Sequence, residues 1–322
     1  MALGGPAASV AANYTLNITG PMDIGTVAAA ASGDTVFRID AGSGAVSVAS
    51  GAGRRISTAS ARAQVNVTCR PSRAADTDCT TRTVRIRIGT IGALTGRARA
   101  FSTFYVANGT ASIVAPPSGV MPITLELAPL GNNSARNFFV GADFPVAGDE
   151  SGLASGNGEN AFYVYVVNAT DQMIAGDTDK GRVRALRSVS VSSTSNLGFG
   201  RIQRPTTGTN TITLNATSGA RTMTGGGNAF AYPTPAPTRG AFTIAGEGGQ
   251  QVSISVPSNL TLSGPADLGV VLTDTAPATR NLSGALGAAG TYSFTVGGSF
   301  TLNPTTPVGT YSGVLTVTVD YN

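Results

Sequence analysis

The chain has 322 residues, with 42 Gly, 17 Pro, two Cys, one Lys, no His and no Trp, a formal charge of +4 and 12% charged side chains. Without histidine, a Ser-His-Asp hydrolase, a Cys-His protease and any His-ligated metal site are excluded, and two cysteines cannot build a four-Cys zinc or iron–sulfur site. The positive charge is spread out, at +1 over residues 1–175 and +3 over residues 176–322, with no basic tract that would mark a nucleic-acid surface.

In chain order, the N-terminus does not read as an intact signal peptide, since it has neither a basic start nor an unbroken apolar block. Val10, Ala12, Tyr14, Leu16 and Ile18 then alternate apolar with polar residues, which predicts a strand with one buried face. Val65 and Val67 form a second such run, and Val84, Ile86 and Ile88 a third. Between them Cys69 and Cys79 flank a polar loop whose span suits a disulfide, pointing to an oxidising compartment outside the cytoplasm. Further runs follow at Ile212–Leu214, Val252–Val256 and Leu315–Tyr321, each bounded by Gly, Pro, Asn, Asp or Ser. Helical spacing with caps is nearly absent, so the predicted class is all-β, built as sandwiches or barrels.

The sequence repeats internally. "DIGTV" and "TVFRIDAGSGA" align without gaps on "GFGRI" and "TITLNATSGA", matching Gly25 to Gly200, Val27 to Ile202, Ile39 to Leu214 and Gly44 to Gly219. "FFVGADFPV" from Phe138 aligns on "FTVGGSFTL" from Phe294. The expected organisation is an N-terminal arm over residues 1–20, a first sandwich over 21–175 and a second over 176–322.

The C-terminal copy resembles a known family through "LGFGRI" at Leu197, "SGARTMTGG" at Ser218, "AFTIAGEGGQQVSISVP" at Ala241, "FTVGGSF" at Phe294 and "PVGTYSGVLTVTVDYN" at Pro307. It is similar to a bacterial domain-of-unknown-function family of about 130 residues found with fimbrial chaperones and ushers, related to the spore-coat-U-like archaic pilins. The N-terminal copy departs from it by the Cys69–Cys79 insertion, an extra run from Arg97 to Pro117 and the lack of a "GTYSG" before its last strand.

That resemblance implies two tandem immunoglobulin-like pilin sandwiches, each lacking its last strand and completed by a donated one. It also implies a homopolymer assembled with a periplasmic chaperone and an outer-membrane usher on the surface of a Gram-negative bacterium. The expected donor strand is Val10, Ala12, Tyr14, Leu16 and Ile18. The intrachain completing strand is Val183, Ala185, Val189 and Val191, and the acceptor groove is Val314, Leu315, Val317, Val319 and Tyr321. Two other arrangements stay open: residues 10–18 as a strand of their own sandwich, or a split with residues 3–12 donated and 14–19 kept. The expected role is a non-enzymatic, cofactor-free structural subunit that polymerises head to tail, and the alternative is a pilus-tip adhesin whose modified first sandwich binds a surface or glycan. Asp171, Asp177 and Asp179 lack the spacing and bidentate Glu of a calcium loop. Tyr163 and Tyr165 read as sheet-face packing before they read as a sugar platform.

Overall fold

A computed structural model describes residues 12–322 apart from 60 and 93. The chain is all-β and divides into two compact units, Met1–Ser188 and Val189–Asn322. Among the described residues no helix is long and apolar enough to cross a membrane.

The first unit is a sandwich of two sheets. One has the strand order Asn13–Thr19, Ala63–Arg70, Ala135–Val146, Thr35–Ile39 and Val46–Ser50, with Thr103–Asn108 also on Ala135–Val146. The other runs Arg54–Arg55, Met22–Ala28, Met173–Leu186, Gly156–Val167, Val84–Thr90, Ile123–Leu127 and Ile113–Ser118. Alternation dictates this packing. Val65 and Val67 point inward from one sheet, Ile86 and Ile88 from the other, and all four are fully buried with Phe37, Phe138 and Phe162.

The second unit has one sheet of matching order: Ser190–Ser195, Gly240–Glu247, Ala289–Leu302, Asn210–Leu214 and Arg221–Thr224, with Leu268–Asp274 also on Ala289–Leu302. The correspondence extends to single atoms. Gly44 and Gly219 both take positive φ in turns closed by the same bonds, Asp40 N to Ala45 O and Asn215 N to Ala220 O, each 2.9 Å. A Cβ on Gly141 would lie 2.1 Å from Ile39 O, and one on Gly297 the same 2.1 Å from Leu214 O, so neither position admits a side chain.

Two expected boundaries move. Of the arm expected over residues 1–20, the described part is not separate, because Asn13–Thr19 pairs antiparallel with Ala63–Arg70 along its full length, from Asn13 opposite Arg70 to Thr19 opposite Gln64. The division between units falls at 188/189 and not at 175/176, because Met173–Leu186 is a central strand of the first unit's second sheet.

Cys69 and Cys79 are disulfide-bonded and buried. The loop they close is organised by Asp76, whose carboxylate accepts Ser72 N at 3.0 Å, Ser72 Oγ at 2.9 Å and Asp78 N at 2.9 Å. These bonds, the one from Asp78 N–H foremost, hold the Asp76 carboxyl below its ordinary value. A lowered folded pKa gives stability that is present above the unfolded value of about 3.9 and is lost as pH falls through the folded value. The protection of the Ser72 and Asp78 amides, taken relative to their intrinsic exchange rates at each pH, is therefore expected to fall on acidification below about pH 4, and Asp76→Asn is expected to flatten that dependence. An unchanged profile in the variant would assign the effect to another group.

Candidate functional site

The two units differ in how their second sheet ends. In the first unit Met173–Leu186 fills the place between Met22–Ala28, to which it is parallel, and Gly156–Val167, to which it is antiparallel. Its neighbours are sealed by it, and Met22, Ile24 and Val27 are each 0% exposed. In the second unit the aligned residues Leu197, Phe199 and Ile202 are only half-buried. On one side Ile202–Gln203 pairs with Phe230–Ala231 and Gly198 bridges Thr238, but among the described residues no strand lies on the other side: the three-stranded sheet there consists of Thr279–Asn281, Gln251–Ser255 and Thr318–Tyr321, and residues 313–317 have no strand pairing.

The vacated place is a groove of about 870 Å³. One wall is the 193–204 stretch and the other the 306–315 stretch. The floor is apolar, with Phe199 set edge-on to Phe300 at 4.9 Å between ring centres and Leu260, Leu262 and Leu268 beside them. Arg221 braces the first wall, donating from Nη1 to Phe199 O and from Nη2 to Tyr232 O, both at 2.7 Å. Arg204 Nη1 donates to Thr306 O at 2.8 Å and ties the two walls at one end. Arg201 stands near that end with its guanidinium 4.5 Å from the centre of the Tyr232 ring. Among the described residues no acidic side chain lines the groove.

Of the predicted acceptor residues, Val314 and Leu315 line this groove and Val317 is half-buried just beyond it. Val319 and Tyr321 instead pair with Ile254 and Val252, and Tyr321 Oη accepts Glu247 N at 2.6 Å. Of the predicted completing strand, Val183 and Ala185 lie in Met173–Leu186 and are buried, but Val189 and Val191 belong to the second unit, where Val191 pairs with Ile244. That corrects the span 183–191: the chain passes from one sandwich to the next at Ser188. Of the predicted donor, Tyr14, Leu16 and Ile18 are strand residues of their own sandwich, and Ala12 is buried just before that strand. Ile18 N also donates to Asp177 Oδ2 at 2.9 Å. Val10 lies outside the described residues.

Of the floor residues, Phe199 and Phe300 lie in the motifs "LGFGRI" and "FTVGGSF", whereas Leu260, Leu262 and Leu268 lie in none, although Leu260 and Leu262 carry a two-residue alternation. Tyr163 and Tyr165 stack at 4.3 Å on the outer sheet face, their rings lying over Gly89 and Gly176.

Residues 189–321 match the family model described as Domain of unknown function (DUF4402). No curated protein matches the chain. Among solved structures, it is similar to the chaperone–tip adhesion subunit pre-assembly complex of archaic chaperone-usher Csu pili of Acinetobacter baumannii, at 9% identity and a TM-score of 0.26, covering 94% of this chain and 100% of that one. It is also similar to a chaperone–tip adhesin complex of CFA/I fimbriae, at 10% identity and a TM-score of 0.23, covering 95% and 98%.

Proposed function

We propose that this chain is a duplicated, two-sandwich subunit of an extracellular pilus, and that its second unit is completed by an extended strand from another subunit. The observation behind this reading is the strand place left open beside Leu197, Phe199 and Ile202, whose counterpart in the first unit is filled by Met173–Leu186. An open edge above an apolar floor is an aggregation hazard in a lone molecule. An added strand pairs the free backbone of residues 313–317 and seats alternate side chains on the floor. Until that strand arrives, the groove needs cover, which is the place of a periplasmic chaperone, with an outer-membrane usher as the exit. The role is structural and adhesive, and no catalytic step is assigned.

Within this reading the tip of the pilus is favoured over a repeating position. A repeating subunit must receive a strand and donate one. Here the seven residues Asn13–Thr19 are bonded into their own sandwich, which confines any donation to the residues before them. The first unit, closed by its own strand, is then the part that meets a surface or glycan.

Deleting residues 1–11 tests the placement. In a tip subunit the shortened chain is expected to be secreted and incorporated into pili as before, read by immunogold electron microscopy. Filament growth that depends on those residues would overturn the tip placement and restore the head-to-tail polymer.

A further inference from the structure

The charge at one end of the groove selects its occupant. The alignment that matches Gly25 to Gly200 places Arg201 where the first unit has Thr26, and Arg204 where it has Ala29. In the first unit these two positions face the last residues of the completing strand: Thr26 is opposite Arg184, and Ala29 N donates to Leu186 O at 2.9 Å. The arginines there are carried by the inserted strand, as Arg182 and Arg184, and the strands on either side of it set Asp23 and Glu159 opposite Arg182, with Glu159 Oε1 3.5 Å from Arg182 Nε. In the second unit the arrangement is reversed, because the receiving wall carries Arg201 and Arg204. Neither has a carboxylate partner among the described residues.

The geometry points to a strand that enters parallel to the 197–204 wall and carries a carboxylate near its C-terminal end, supplied by a different kind of chain. This rests on the reading of the groove as a strand site. Residues 1–22 of this chain contain no acidic side chain, so its own N-terminal segment does not offer the matching charge. A strand like Met173–Leu186, with arginines at that end, is repelled, which keeps the first unit's strand out of the second unit's groove. Charges of this sort set partner choice and association rate more than total affinity.

The test uses the full chain and three blocked peptides: the 173–186 sequence itself, the same sequence with Arg182→Gln and Arg184→Gln, and the same with Arg182→Glu and Arg184→Glu. Binding is read by anisotropy of the labelled peptides and by amide shifts at residues 313–317. The acidic peptide is expected to bind about 3- to 10-fold more tightly than the neutral one, with the basic peptide weakest. The preference should shrink at salt on the order of 1 M. Arg201→Glu with Arg204→Glu should invert the order. Equal binding of all three, unmoved by that double variant, would overturn the charge selection while leaving the strand site standing. No shift at 313–317 with any peptide would overturn the strand site itself, and the charge selection with it.

Discussion

A strand appended to the C-terminus through a short flexible linker, and long enough to lie beside residues 197–204, is expected to raise the melting temperature of the second unit by about 10 °C. Seating four or five apolar side chains on Phe199, Phe300 and the Leu260–Leu268 floor contributes roughly 1.5–3 kcal/mol each. Ordering the strand costs on the order of 1–2 kcal/mol per residue, partly offset by its new backbone bonds. A net of about 3 kcal/mol in a unit of this size corresponds to that shift. Amides of residues 313–317 should gain protection at the same time. Leu315→Asp in the same molecule puts a carboxylate against the inserted strand and should abolish the gain, because a charge buried without a partner costs several kcal/mol. An appended strand that neither raises the melting temperature nor protects residues 313–317 would mean the groove is not a strand site.

The sequence carries the receiving side of this groove more clearly than the strand that fills its counterpart. The alternation of Leu315, Val317, Val319 and Tyr321 marks the last strand only over Thr318–Tyr321, where Val319 and Tyr321 face Ile254 and Val252, while Leu315 lies in the groove. The matched glycines located the duplication, because Gly141 and Gly297 sit where a carbonyl oxygen leaves no room for a Cβ. The first half of Met173–Leu186 does not show itself as a strand in the sequence. Its polar run "GDTDKGR" places Asp177 and Asp179 at the positions that alternate with Val183 and Ala185, so hydrophobicity alone shows no strand there. Asp177 instead makes a contact far along the chain, accepting the backbone N–H of Ile18 in Asn13–Thr19. A polar contact between sheets leaves no periodic trace. The groove floor was hidden for a related reason, since Leu260, Leu262 and Leu268 reach it through chain reversals that period two does not encode.

The first unit's closure depends on an ion pair that the sequence does not announce, and its loss is expected to be the most damaging single polar change in the molecule. Arg97 is 1% exposed; its Nε donates to Leu153 O at 3.1 Å and its guanidinium pairs with Asp149. The second oxygen of Asp149 accepts Ser188 N at 2.9 Å and Ser188 Oγ at 2.6 Å. Asp149 therefore links the interior cation to the residue at which the chain leaves the first unit, just past the end of Met173–Leu186. Asp149→Ala strands a buried guanidinium and frees that exit, and should lower unfolding stability by about 3–5 kcal/mol in a denaturant titration of the first unit. Arg97→Met removes the buried charge, leaves Asp149 its bonds to Ser188 and should cost clearly less; Ser188→Ala should cost about 1 kcal/mol. In a double-mutant cycle, Asp149→Ala with Arg97→Met is expected to recover part of the loss. If Asp149→Ala is no worse than Ser188→Ala, the pair is solvated in solution and the completing strand is held by its sheet bonds alone.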